Sequence, residues 1–524
     1  MLIALNNTGY SNEYAGIGSI AAYLESVGKK VEILQIDLDS NATFNEIEGK
    51  IPIDYNLYGF YIIYTNAELV LESIKWLKKH NTNCYTFVGG HCATASYKYI
   101  LADCGEMDFV VLGDGEYPLN NVIEALKIGK NLSDLDSIAT REDNREKYPA
   151  VSDITKLPWI KRYYYLKGIN NIYVNARMVS SKKCLGNCSF CSTIHSYRDV
   201  HSHQWDSRDM EDVVEELKSI NKQYGIKYFS FIDPSFEDPG LSGKERIREF
   251  CELILKFEEK LYFWCYLRTE TFDKDDKKDI ELIKLMRAAG FAKVFIGIES
   301  MNQDDLRLYG KRATIQHNRE SLNLFSKYGF EVVPGFIMIN PLSTKESLKK
   351  NFEFLVENRI YLFYTYITVI ELFHKTPLYN KISKLGLILD SHSYKNPFGY
   401  KVQDSYVNEV FEFIVGTILQ SNICTAESQF LYRDNFVLTS IKEFFPNEYK
   451  KYAAEIRISK EKLVDTIDTY MRLLFVDYNI DLAKKEFRKF ESDMELVYNS
   501  FKNITFKFLR FASVRDYFNH KQSK

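Results

Sequence analysis

The chain has 524 residues, more than one hydrophobic core comfortably serves, so two to four domains are expected. Lysine and arginine total 68 against 71 aspartates and glutamates, and this near-balance gives no support to an electrostatic nucleic-acid binder or a polybasic membrane clamp. Hydrophobic residues at 45% and charged residues at 27% exclude wholesale disorder. Nine cysteines, mostly scattered, do not form a disulfide framework and point to a reducing, cytoplasmic setting. Met1–Asn7 enters an apolar run without a basic leader. The longest apolar stretch, Tyr361 to Phe373, is too short to span a bilayer.

Residues 1–142 alternate strand and helix patterns. Strands are expected at Leu2–Leu5, Val31–Ile36, Tyr58–Tyr64, Tyr85–Val88 and Phe109–Leu112, with helical spacing between them, as at Ile17, Ile20, Ala21 and Leu24. That alternation predicts a doubly wound parallel sheet covered on both faces, with ligands at the strand carboxyl ends. The loops there carry Asn6-Asn7-Thr8-Gly9, Thr65-Asn66, Gly89-Gly90-His91 and Gly113-Asp114-Gly115-Glu116. No G-x-G-x-x-G follows the first strand, so a dinucleotide site is poorly supported.

Residues 143–170, with Pro149, Pro158 and Tyr163-Tyr164-Tyr165, read as a linker. A second β/α series fills 171–390, with strands expected at 176–180, 227–233, 261–268, 293–299, 331–339 and 363–371. Its clearest helix carries Met210, Val213, Val214, Leu217 and Ile220, with Asp206 or Ser207 as its cap. Six units suit an open, partial (β/α)6 barrel whose site residues lie at strand carboxyl ends. Residues 391–524 keep only helical spacing and are expected to form a helical domain that closes the substrate cavity.

Directly after the first strand of the second series stands Cys184-Leu185-Gly186-Asn187-Cys188-Ser189-Phe190-Cys191. Three thiolates within eight residues can wrap one soft metal centre. On a cubane of four irons they leave one iron without a protein ligand. The alternative is a closed Cys3His zinc site completed by His195, in a non-catalytic binding protein.

This Cys-x3-Cys-x2-Cys with an aromatic before its last cysteine resembles the radical S-adenosylmethionine (SAM) superfamily, and its context resembles the cobalamin-binding branch, over about residues 1 to 390. The resemblance implies a [4Fe–4S] cluster on Cys184, Cys188 and Cys191, with SAM chelating the open iron and yielding a 5′-deoxyadenosyl radical. Phe190 would then lie against the adenine. Tyr228–Phe236, Tyr266–Arg268 and Phe295–Ser300 are similar to the family's second-, third- and fourth-strand segments. By that likeness Asp233 would hold the SAM amino group and Arg268 its carboxylate, with Ser235 and Glu299 also in the SAM site. Gly16–Leu24, Phe87–Thr94 and Phe109–Glu116 resemble the cobalamin module, which implies cobalamin contacts at Asn7, Thr65, Asn66, Gly89, Gly90, Gly113 and Glu116. No Asp-x-His-x-x-Gly occurs, so no lower axial histidine comes from that motif. The resemblance further implies methyl transfer to an unactivated carbon of a natural-product, peptide or lipid precursor. Cyclisation, rearrangement or oxidation is the alternative within the family. The implied partner is an electron donor such as flavodoxin or ferredoxin.

Overall fold

The computed structural model describes residues 1–7, 13–39, 42–143, 146–164, 175–195, 205–421, 423 and 446–522. The first series forms β1 (Leu2–Asn6), α1 (Ala15–Ser26), β2 (Ile33–Asp37), β3 (Leu57–Tyr61), α2 (Ala67–His80), β4 (Tyr85–Gly89), α3 (His91–Asp103), β5 (Phe109–Val111), α4 (Glu116–Lys127) and β6 (Ile138–Ala139). The sheet runs β2-β1-β3-β4-β5-β6. Its pairs are parallel except that β6 lies antiparallel on β5. Alternation sends Ile3, Phe60, Val88 and Val110 toward α2 and α3, and Leu2, Phe87, Phe109 and Val111 toward α1 and α4.

The second series forms β7 (Asn175–Met178), β8 (Ser181–Lys182), α5 (Ser192–His195), β9 (Asp206–Ser207), α6 (Met210–Tyr224), β10 (Tyr228–Phe231), α7 (Leu241–Ile254), β11 (Tyr262–Arg268), α8 (Lys277–Ala289), β12 (Phe291–Glu299), α9 (Gln303–Leu308), α10 (Ile315–Lys327), β13 (Glu331–Phe336) and α11 (Lys345–Glu357). The main sheet has the consecutive order β7-β10-β11-β12-β13. All its pairs are parallel. Phe229, Phe231, Phe263, Cys265, Val294 and Ile296 face the helices in one large core. The opposite face of this open barrel carries Tyr228, Tyr262, Trp264, Tyr266 and Phe295.

Two local expectations are corrected. The N-cap position of α6 is Asp209; Asp206 and Ser207 instead pair with Lys182 and Ser181 as a two-stranded ribbon. The sixth strand is absent as a ladder: Phe363–Ile367 is the short helix α12, and one bridge, Ile339 to Val369, holds the sixth position. A continuous apolar run fits a buried helix as well as a buried strand, and here Phe363, Tyr366 and Ile367 are buried at helical spacing.

Beyond α13 (Pro377–Lys384) and α14 (Ser405–Phe413), the helices α15 (Pro446–Phe475) and α16 (Ile480–Gln522) fold back on one another, with Tyr470 stacked on Phe490 at 4.1 Å. Lys460 of α15 lies 3.2 Å from Glu331, the first residue of β13, which also accepts from the Tyr361 hydroxyl at 2.6 Å. The pair runs along α11 from this amino-end contact to the far side, where the Tyr478 hydroxyl donates to the carbonyl of Lys345, the first residue of α11, at 3.3 Å. At the carboxyl end the seam is made by residues 388–400, whose Phe398 meets Tyr64 edge-on and whose Tyr394 bonds Asp103. Among the described residues no helix is long and apolar enough to cross a membrane.

What joins the two α/β halves is a buried ion network. Arg162 donates to Glu13 at 2.8 Å and to Glu216 at 2.6 Å, and Arg208 donates to the other oxygen of Glu216 at 2.6 Å. All four are nearly sealed from solvent. Removing one partner from such a network strands the other charges, at about 3–5 kcal/mol. Arg162→Met is expected to lower unfolding stability by about that amount in urea titration. Lys161→Ala, which removes a solvent-exposed pair with Glu25, should cost less than about 1 kcal/mol.

Candidate functional site

Cys184, Cys188 and Cys191 lie half-buried on the loop between β8 and α5, at the carboxyl end of the second sheet. The loop is clamped by its surroundings. Ser189 N donates to the Tyr309 carbonyl at 2.8 Å, its hydroxyl to the Leu308 carbonyl at 2.7 Å, and Leu378 N donates back to Ser189 O at 3.0 Å. Gly310 sits at φ +67°, and a Cβ there would lie 2.9 Å from the Asn187 carbonyl. Gly186 N donates to Cys184 Sγ at 3.2 Å. Burial pushes the Cys184 and Cys188 thiols up to about 11 and about 12, so thiolates form here only against added positive charge. Phe190 packs edge-on against Tyr309 at 5.5 Å.

His195 does not complete a zinc tetrahedron. Its Nε2 bonds the Cys188 carbonyl at 3.0 Å. Among the described residues no three His, Cys, Asp or Glu side chains, the three thiols included, are already gathered around a single ion. The donor set is instead three soft thiols on one half-open loop, which fits a larger cluster with a vacant corner.

The strand ends supply the charged rim. Arg268, last in β11, makes a bidentate pair with buried Asp238 at 2.7 and 3.2 Å, and its Nη1 lies 3.8 Å from Cys184 Sγ. Glu237 accepts from Arg268 N at 2.9 Å, while its second oxygen is buried without a partner among the described residues. Glu299, last in β12, adopts φ +63°, unusual for a side chain larger than glycine. Its carboxylate meets Lys311 at 3.2 Å, and Lys311 also donates to Gly297 O at 2.9 Å. A Cβ on Gly297 would strike Glu299 at 2.8 Å and Lys311 at 3.0 Å, so glycine leaves room for this pair. Burial pulls the Lys311 ammonium down, but Glu299, Cys188 and Glu270 together raise it above its ordinary value.

Asp233 is placed differently from the role that the resemblance implied. It is wholly buried and accepts from Ser180 N at 2.7 Å, Ser181 N at 3.1 Å and the Ser180 hydroxyl, with Arg246 behind that hydroxyl. This carboxylate ties the β7–β8 turn, and three of its about four acceptor directions are taken. Three buried oxygens near the rim are unpartnered among the described residues: Ser235 Oγ, Glu237 Oε2 and Glu270 Oε2. They are where an amino group would find acceptors, so the rim fits SAM through Ser235, Glu237 and Glu270 more than through Asp233. Sequence reasoning missed Glu237, Asp238, Glu270 and Lys311, because only Arg268 and Glu299 end a strand; the others sit in the following loops.

Across the domain seam a cavity of about 380 Å³ is lined by Tyr14, Gly89, Gly90, Gly113 and Glu116 from the first sheet and by Arg177 and Lys182 from the second. The glycine loops thus stand where cobalamin contacts were expected. Glu116 itself accepts from Ser19 at 2.6 Å and Ser152 at 3.0 Å and meets Lys182 at 3.4 Å, so it braces the loop across the domains. Asn66 is also spent on the backbone: it donates to Leu5 and Tyr61 carbonyls and accepts from Ile63 N. Asn7 donates to the Thr65 carbonyl at 2.5 Å, and neither residue lines this cavity, though the Asn7 carbonyl oxygen is buried without a partner among the described residues. Thr8 and Gly9 lie outside the described residues. The apolar walls and the glycines fit part of a large corrinoid.

Residues 178–355 match the Radical SAM superfamily and residues 1–123 match the B12 binding domain. An uncharacterised methyltransferase from Pyrococcus horikoshii is 26% identical, over 64% of this chain and 72% of its own length. An anaerobic magnesium-protoporphyrin IX monomethyl ester cyclase from Rubrivivax gelatinosus is 25% identical, over 65% of this chain and 61% of its own. Among solved structures, the cobalamin-dependent radical enzyme OxsB with aqua-cobalamin and S-adenosylmethionine bound superposes with a TM-score of 0.69 at 19% identity, covering 98% of this chain and 80% of that one.

Gly310→Ala forces a left-handed residue and a 2.9 Å contact on the thiol loop. It should cost about 1–3 kcal/mol locally. Iron retained after anaerobic reconstitution is expected to fall markedly, while the far-ultraviolet circular dichroism spectrum stays unchanged.

Proposed function

We propose that this chain, which belongs to the cobalamin-binding radical SAM enzymes, is a C-methyltransferase acting on an unactivated carbon of a natural-product, peptide or lipid precursor. One observation carries the reading. The Lys182–Glu116 contact lies two residues before Cys184 and one residue after Gly115, so it sets the thiol loop directly against the glycine loops of the other domain. Carboxyl ends of two sheets that face each other in this way give two cofactors access to one substrate.

When bound, the cluster with SAM supplies hydrogen-atom abstraction from carbon, and cobalamin supplies a methyl group. The chain's own residues do the holding. Cys184, Cys188 and Cys191 would ligate the cluster. Ser235, Glu237 and Glu270 would accept from the SAM amino group, and Arg268 and Lys311 would face its carboxylate. Phe190 would lie on the adenine side, and the loops at Gly89, Gly90, Gly113, Asn7 and Thr65 would cradle cobalamin. The aromatic inner face, from Tyr228 to Phe295, excludes water from the reacting carbon. A reducing, cytoplasmic setting accords with eight unpaired cysteines among the described residues. We assign residues 1–142 to the cobalamin domain, 143–170 to the linker, 171–390 to the barrel and 391–524 to the helical domain.

A second reading, cyclisation or oxidation with no methyl leaving cobalamin, is supported by the cyclase from Rubrivivax gelatinosus among the relatives. Methyl-labelled SAM, fed to the reconstituted enzyme in extract from its own cells, separates the two. Label in a product mass-shifted by one methyl is expected, and a product without label would favour cyclisation. Protein purified without oxygen should hold about four irons. Cys188→Ala is expected to lose both the iron and 5′-deoxyadenosine formation; retention of both would end the assignment.

A further inference from the structure

A second cleft, of about 910 Å³, opens on the outer side of the thiol loop, between α3 of the first domain and α13 of the second. Its rim carries Lys98, Lys375, Lys381 and Lys384, all exposed, against Glu146. Among the described residues that is a local excess of positive charge, on a chain whose formal charge is −3. α13 contains no acidic residue, and Asp103, the one acid of α3, is paired with Lys395 at 3.0 Å. Two large apolar side chains stand among these lysines, Tyr99 at 55% and Leu385 at 53% exposure. Tyr99 is held flat on His374 at 4.5 Å, and His374 is fixed by Ser96 at 3.0 Å. An exposed aromatic held in place beside an exposed aliphatic gives the charged rim two apolar contact points.

The thiol loop lies one hydrogen bond behind the wall of this cleft. His195 lines the cleft and bonds the carbonyl of Cys188 at 3.0 Å. Leu378, between lining residues Pro377 and Tyr379, donates to Ser189 O at 3.0 Å. An object seated here is thus one hydrogen bond from the backbone of a thiol ligand, on the side away from the strand-end rim that would hold SAM.

We propose that this cleft docks an acidic protein that carries a one-electron centre, and that Lys98, Lys381 and Lys384 steer it. The inference rests on the cluster reading above. In each docking the carrier is oxidised by one electron and the cluster is reduced by one. No proton moves and no bond is made in that step. Charge complementarity selects an acidic carrier, because oppositely charged faces raise association rates by about ten- to a thousandfold at low salt.

The test uses the reconstituted full chain, with reduced flavodoxin as the probe, ferredoxin as a second acidic carrier, and dithionite as a small reductant that needs no docking. Lys381→Glu/Lys384→Glu is expected to lower flavodoxin-supported 5′-deoxyadenosine formation about tenfold or more, and dithionite-supported formation should be unchanged. Lys381→Gln/Lys384→Gln should fall between. Flavodoxin binding, read by fluorescence anisotropy, should weaken with salt in the wild type and lose most of that salt dependence in the Glu pair. Equal loss with both reductants would overturn the proposal and point to an anionic small molecule in the cleft. Unchanged binding of both carriers in the Glu pair, or no binding of either to the wild type at low salt, would also overturn it. Failure of dithionite to support any SAM cleavage by the wild type would instead strike the cluster reading, and the binding titration would still decide the docking.

Discussion

The placement of everything chemical in this molecule depends on charges buried where the two α/β halves meet. Arg162, reaching from the linker, is bonded at once to Glu13 ahead of α1 and to Glu216 on α6, and it also donates to the Arg177 carbonyl on β7 at 2.7 Å. A guanidinium can do this because its planar fork directs several donors along fixed lines. The network fixes relative orientation more than it adds stability, since a buried ion pair recovers little beyond its desolvation cost. Nearer the site, Lys182 extends the same device, and burial of its ammonium is outweighed by Glu116 and Asp114. An apolar seam of equal area would slide; a set of directional, desolvated pairs does not.

Within the second domain the two faces of one sheet do different work. The helix-facing side is phenylalanine and aliphatic residues at close packing, with rings of Phe231, Phe250, Phe263 and Phe291 within 6.2 Å of their neighbours. The inner side carries aromatic residues with a polar edge. It ends below in Lys293, set 4.5 Å over the Trp264 ring and pulled down to about 8 by burial, and in the Glu331, Tyr361 and Lys460 cluster. Charge from α15 thus meets the amino end of the barrel at Glu331.

Legibility in the sequence followed periodicity and covalent proximity. The parallel strands of both sheets were readable because their short apolar runs alternate with helical spacing and turn residues, and the thiol triplet because its ligands are close in the chain. The sixth strand was not: Phe363-Tyr364-Thr365-Tyr366-Ile367 is apolar at every spacing, and only packing against Phe352 and Phe490 selects the helix. Side-chain roles were least readable. Asp233 and Asn66 stand at strand ends, where ligand contacts are expected, yet local N–H and C=O groups claim them. The acids that do face the site follow the strands by several residues, and nothing in their spacing distinguishes them from solvated loop charges.

The charge balance of the rim follows from this arrangement. Glu237, Asp238, Glu270 and Glu299 crowd the strand ends, with Arg268 and Lys311 as the cations bound to them. More carboxylates than cations in a half-buried space leave a negative field. Burial is the main cause that raises the Cys184 and Cys188 thiols, with Asp238 and Glu299 adding to it, and burial with Asp238 keeps the Glu237 carboxyl above its ordinary value despite Arg268. Only added positive charge relaxes both strains together. Iron does so for the sulfurs, and a ligand bearing an ammonium and a sulfonium does so for the carboxylates. Iron bound by the thiols and an ammonium bound at the rim would each offset part of this negative charge.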